Sequence, residues 1–170
     1  DNQNRNDIGV EGRCQALVGP YLLGGVHDAI ARIDEHARHA LARLGHEADV
    51  RPASEVESIT DCAAVIVGGA LYILRWHADA RRFVKRFRTN LRERPVWLFS
   101  SGPLDESARD GEIPPVRFVR KTMARIGARS HMTFGGRLTD ESRGLPVGDW
   151  RDPDQVRRWA EHIDQALIGS

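Results

Sequence analysis

Three stretches of this chain combine residue types that do chemistry. The first, Ala63 to Trp76 (AAVIVGGALYILRW), sets a glycine pair, Gly68-Gly69, after a short β-branched run and brings Tyr72 and Trp76 within one loop's reach. Glycine lacks a Cβ, so the backbone there can turn sharply or approach a flat ligand closely. Aromatic rings beside such a turn offer that ligand a wall. The second stretch, Ser100-Ser101-Gly102-Pro103, brings two hydroxyls to the end of the apolar run VWLF. An esterase elbow needs a glycine two residues before its serine, which is missing here, so a ligand-binding or plain turn role is expected. The third is His36-x-x-His39 with His46 nearby. No cysteine or carboxylate completes a recognisable ligand set around these imidazoles, so no metal is expected. No Gly-Lys-Ser/Thr phosphate loop occurs either, which leaves nucleotide hydrolysis without support.

The elements that must position these residues follow from periodicity. Ala63–Val67 is too short for a buried helix and reads as a strand covered on both faces, ended by its glycine pair. Before it, an apolar run at Ala16–Val18 or Tyr21–Leu23 supplies a first strand, with Gly19-Pro20 between them. A helix over His27–Leu44 follows, with Ile33, Ala37, Ala40, Leu41 and Leu44 on one face, Asp28 as N-cap and Gly45 as its stop. Glu47–Val50 is a short second strand. Beyond the glycine pair come a helix over Ala78–Leu91, the strand Val96–Phe99, a loop over Ser100–Glu112, a helix over Pro115–Ile126 and the strand Ser130–Phe134. Asp152-Pro153, a cap followed by proline in the first turn, opens a last amphipathic helix through Leu167. Strands and helices alternating at this spacing predict an α/β fold, a doubly wound five-stranded parallel sheet.

At 170 residues the chain fits one domain with a sizeable core. Residues 1–12 are polar and are expected to form a loose arm, with the domain over 13–170. No apolar run reaches the length of a membrane span, and no basic-then-apolar leader opens the sequence. Cys14 and Cys62 are far apart and fit neither a redox nor a zinc spacing, so reduced thiols and a cytoplasmic compartment are expected. The formal net charge is only +1, and acids interleave with the arginines. No nucleic-acid partner is therefore expected.

The stretches CAAVIVGGALYILRWHADARRFVKRF and RPVWLFSSGPLD, with HMTFGGRL and GDWRDPDQVRRWAEHIDQAL near the end, resemble flavodoxin-like proteins of the protoporphyrinogen-dehydrogenase type. The resemblance implies strand order 2-1-3-4-5 and FMN held at the carboxyl ends of strands 1, 3 and 4. On it, Gly68, Gly69, Ala70, Leu71, Tyr72 and Trp76 match the loop on one side of the flavin ring. Ser100, Ser101, Gly102 and Pro103 match the loop on the other. Gly24, Gly25, Val26 and His27 correspond to the phosphate loop.

The chain departs from that family's pattern in two places. No Ser or Thr precedes Ser54, and Asp28 stands where a dianionic phosphate would meet the helix N-terminus. Leu74 stands where relatives tend to carry glycine, which costs energy if that position needs a positive φ. The resemblance implies an FMN-dependent oxidoreductase acting on a quinone or an oxidisable tetrapyrrole, or passing electrons to a partner protein. No catalytic acid or base can be nominated. The alternative is a flavodoxin-fold module that has lost its flavin and serves as a binding or scaffold protein. The oligomeric state is open, a homodimer included.

Overall fold

The computed structural model describes residues 14–19, 27–139, 144–145 and 147–169, and of 14–31 and Tyr72 the backbone alone. The Gly24–Val26 part of the expected phosphate loop, the Tyr21–Leu23 run and the 1–12 arm lie outside the described residues.

Five parallel strands form the sheet: β1 (Cys14–Gly19), β2 (Ala48–Pro52), β3 (Cys62–Tyr72), β5 (Val96–Ser101) and β6 (Ser130–Phe134), in the order β2-β1-β3-β5-β6. Counting parallel strands alone, this is the expected 2-1-3-4-5. The departure is β4 (Arg75–Trp76), which folds back antiparallel on the end of β3. A separate two-stranded ribbon pairs β7 (Arg137–Leu138) with β8 (Gly148–Asp149).

Strand alternation sorts the core into two layers. Val65, Val67, Val96 and Leu98 point to one face, where α2 (Ala78–Arg86), α3 (Arg88–Arg92) and α5 (Arg117–Ile126) cover them with Phe83, Leu91, Val119 and Ile126. Ala64, Ile66, Trp97 and Phe99 point to the other, under α1 (His27–Arg43) and α6 (Pro153–Ile168). Each fully buried large side chain contributes about 1.5–3 kcal/mol. The short helix α4 (Ser107–Asp110) interrupts the loop after β5.

Helix ends largely follow the expected signals. Gly45 takes φ +91°, and the His46 amide reaches back 3.0 Å to the Leu41 carbonyl, closing α1 as a left-handed C-terminal turn does. Asp152 caps α6 through the Asp154 amide at 3.0 Å. Asp28 differs: α1 begins at His27, which puts Asp28 inside the first turn rather than at the cap. The single helix expected over Ala78–Leu91 is kinked at Phe87 (φ −99°, ψ 18°), dividing α2 from α3. Neither Gly nor Pro marks that kink in the sequence.

The main correction concerns Gly68 and Gly69. They do not end β3, which runs on in register with β5 as far as Ala70, opposite Ser101. A Cβ on Gly68 would lie 2.0 Å from the Phe99 ring, and one on Gly69 would lie 2.5 Å from the Trp76 ring. The missing side chains make room for the protein's own aromatics, one on each face of the sheet.

Candidate functional site

In this strand order the direction of winding reverses between β1 and β3, and the crevice of an open α/β sheet lies outside the carboxyl ends at that reversal. Two segments at the carboxyl edge are described, the side chain of Tyr72 apart. One is the β3–β4 hairpin. Leu71 pairs with Trp76 and Tyr72 with Arg75, leaving a two-residue turn at Ile73 (φ 47°) and Leu74 (φ 60°). Two successive left-handed residues are the requirement of a type I′ turn, which Asn-Gly satisfies without strain. A β-branched Ile and a Leu there cost about 1–3 kcal/mol each. Both side chains are nonetheless exposed, 80% and 69%. An apolar, strained, solvent-facing tip does nothing for the core beneath it.

The other segment is the end of β5 and the residues after it; Ser100 and Ser101, expected to open a loop, are the last two residues of the strand, paired on both sides. Ser100 is fully buried, and its hydroxyl accepts from the Trp76 indole N–H at 2.9 Å and lies 2.8 Å from His131 Nε2. Burial pushes the His131 imidazole down to about 4, so the ring is neutral near pH 7. Ser101 donates through Oγ to the Gly135 carbonyl at 3.3 Å, and the Gly102 amide donates to the Phe134 carbonyl at 3.3 Å. Pro103 has no amide hydrogen, and its carbonyl accepts from Gly136 at 2.7 Å. The donors expected of Ser100, Ser101 and Gly102 are therefore engaged within the protein, and this network ties the loop to the segment after β6. The next amides, of Leu104 and Asp105, have no acceptor among the described residues.

The expected ring-facing residues are divided by the structure. Trp76 is only 2% exposed and packs edge-on against Phe118, with ring centroids 6.2 Å apart, beneath the sheet. It is a core residue with a hydrogen-bonded N–H, not an exposed wall. Gly68 and Gly69 are covered by aromatic rings, while Leu71 touches the Gly102 position, bringing the two edge segments together below the hairpin tip. Ala70 is partly buried at the strand end. His27 begins α1 beside the undescribed 24–26 segment. What sequence reasoning missed is the tip itself. Leu74 signals it, since a leucine in a glycine position marks strain, but Ile73 gives no signal in isolation. His131 was missed as the partner of Ser100 because thirty residues of intervening chain hide a contact between neighbouring strands.

Away from this edge, His46 Nε2 pairs with Asp164 at 2.7 Å and His39 Nε2 lies 3.1 Å from Glu35. No group of three or more His, Cys, Asp or Glu side chains gathers as metal ligands among the described residues. Among those residues, too, no helix is long and apolar enough to cross a membrane.

The strand order, the helices on both faces and the loops grouped at the carboxyl edge define a doubly wound α/β domain of the flavodoxin type. Residues 29–143 match the flavodoxin domain family, and the chain belongs to that family. No curated protein matches the sequence significantly. Among solved structures, rubredoxin:oxygen oxidoreductase from Desulfovibrio gigas is similar at TM-score 0.64 and 11% identity, over 92% of this chain but 36% of that one. A flavodoxin from the domain Archaea is similar at TM-score 0.61 and 10% identity, over 91% of this chain and 99% of its own. A flavodoxin from Pseudomonas aeruginosa is similar at TM-score 0.61 and 14% identity, with the same coverage. At these identities the likeness is one of fold.

Proposed function

We propose that the chain binds FMN at the carboxyl edge of β1, β3 and β5 and works as an FMN-dependent oxidoreductase of the protoporphyrinogen-dehydrogenase type. The observation that carries this reading is the strained, exposed Ile73–Leu74 tip at the same sheet edge as the loop after β5, whose Leu104 and Asp105 amides have no acceptor among the described residues. A flavin ring needs flat apolar contact on its faces and backbone donors at its polar rim. The tip and the two amides supply those, and strain of this kind gathers at ligand clamps. Gly24, Gly25, Val26 and His27 would hold the phosphate. The bound flavin would supply the electron or hydride transfer. The protein would hold the ring between the tip and the loop after β5 and keep that loop in place through the Ser100, Ser101 and Gly102 hydrogen bonds. The reducible or oxidisable partner, a small quinone-like or tetrapyrrole molecule or a redox protein, would meet the ring's exposed edge.

A second reading has its own support. The indole of Trp76 and the hydroxyls of Ser100 and Ser101, all expected around a ring, are turned to the protein's own needs. That favours a flavodoxin-fold module without flavin. Thermal unfolding with added FMN separates the two. A ligand that binds only the folded state adds about 2.7 kcal/mol of stability at a hundredfold excess over its Kd. A yellow protein whose Tm rises with FMN establishes the first reading; a colourless one whose Tm is indifferent to FMN establishes the second.

A further inference from the structure

The face of the sheet covered by α2, α3 and α5 carries a charge that the net value conceals. Residues 78–94 hold seven Lys and Arg against Asp79 and Glu93, and residues 117–129 hold five with no acid at all. The remaining 13 basic residues of the chain are set against 22 acids. Several arginines on the basic face have structural work. Arg86 donates to the Val56 carbonyl at 3.3 Å, Arg92 to the Arg125 carbonyl at 3.0 Å, and Arg94 to the Cys62 carbonyl at 3.1 Å.

Between α2 and α5 lies a cleft of about 370 Å³. Its floor is apolar: Trp76, Val84, Phe118 and Ile126. Its rim carries Arg81, Lys85, Arg88 and Arg125 and no carboxylate. None of these four cationic groups makes an ion pair or a side-chain hydrogen bond among the described residues. Four like charges around one depression repel each other until a counter-charge arrives. The volume falls in the range of small-molecule sites, about 300–1,000 Å³.

We propose that this cleft binds a small amphipathic organic anion, an apolar ring or chain carrying a carboxylate, sulfonate or phosphate. The apolar body lies on Phe118 with the buried edge of Trp76 beneath it, and the anionic group meets the guanidinium groups of Arg81 and Arg88. Arginine suits both halves of this task, since its planar group stacks on rings and bonds oxyanions in pairs. The proposal does not need the flavin reading: the cleft opens between α2 and α5, and of its lining only Trp76 was expected beside the ring, a residue whose indole N–H is taken by Ser100.

The probe is 8-anilinonaphthalene-1-sulfonate, titrated by fluorescence into the full chain with excess FMN present, beside its uncharged relative N-phenyl-1-naphthylamine. A single saturable sulfonate site is expected. Its Kd should rise about tenfold or more in Arg81→Glu/Arg88→Glu, and by a smaller factor in Arg81→Gln/Arg88→Gln, as it should at high salt. Energy transfer from tryptophan to the bound probe should drop in Trp76→Phe. Circular dichroism and Tm confirm that each variant is folded. An unchanged Kd in both folded charge variants overturns the proposal, as does equal affinity for the uncharged relative. Binding of the chain to phosphatidylglycerol vesicles without any saturable sulfonate site overturns it in favour of a membrane surface.

Discussion

Asp34 lies on the buried stripe of α1 beside Ile33 and Ala37, and neither of its carboxylate oxygens has a hydrogen-bond partner among the described residues. Burial, helped by the charge of Glu35, pushes its pKa from 3.8 up to about 8. The folded chain therefore keeps this proton where the unfolded chain loses it. Its contribution to stability is whole below pH 3.8 and declines as pH rises through about 8. His131 acts in the opposite direction. Its imidazole is held down to about 4 against an ordinary 6.5, so its contribution is whole above pH 6.5 and is lost as pH falls through about 4. Between pH 6.5 and 8 Asp34 is the one of the two that acts. There it should lower unfolding stability by up to about 1.4 kcal/mol per pH unit. Urea unfolding of Asp34→Asn across that window should show this slope removed, and a slope equal to the parent's would assign it elsewhere. The sequence reading of α1 named Ile33, Ala37, Ala40, Leu41 and Leu44 on the apolar face and passed over Asp34, because only packing reveals that its carboxyl is sealed in.

At the scale of elements, the β3–β4 hairpin is the place where local and global requirements conflict. A type I′ turn asks for Asn-Gly, and this chain offers Ile73-Leu74 at φ 47° and 60°. Replacing the tip by Ile73→Asn/Leu74→Gly relieves the turn while removing the apolar surface. The unliganded protein should gain about 1 kcal/mol or more in urea unfolding. FMN affinity, read by flavin fluorescence, should fall about tenfold, the loss expected when a ring contact is removed. A variant that gains stability and binds FMN as tightly as the parent would show that the tip is no part of the ring site. Most parallel strands and helices were legible in the sequence because their periods are local. The first strand, however, was left between two runs, and the break between α2 and α3 at Phe87 carries no signal. The hairpin was not legible. Its glycine pair looks like a terminator, and only the ring volumes of Phe99 and Trp76 explain why glycines occur inside a strand. Likewise Ser100 and Ser101 were readable as a strand-end pair, whereas their engagement with Trp76, His131 and Gly135 depends on strands distant in sequence.

For the whole molecule, a near-zero net charge conceals a basic helix layer on one side and an acidic remainder. The sequence showed the basic residues 81–88 as one solvated helix face; that they join those of 117–129 on a single side follows only from α2, α3 and α5 packing on the same face of the sheet. The two core layers also meet at one spot. Phe99 presses on Gly68 from the side of α1 and α6, where it contacts Phe134 and Trp159 at ring centroid distances of 5.7 Å. Trp76 presses on Gly69 from the other. Gly68→Ala should cost about 1–3 kcal/mol, the range for an overpacked core, and Gly68→Ala with Phe99→Leu should recover part of it in a double-mutant cycle. Additive losses would show that the ring and the glycine do not share that space. At these two residues the partition between the layers is a bare main chain, a membrane one peptide thick with a ring resting on either side. A methyl group grafted at Gly69 on the side of Trp76 should therefore be heard on the far side, as displaced ring resonances of Phe134 and Trp159.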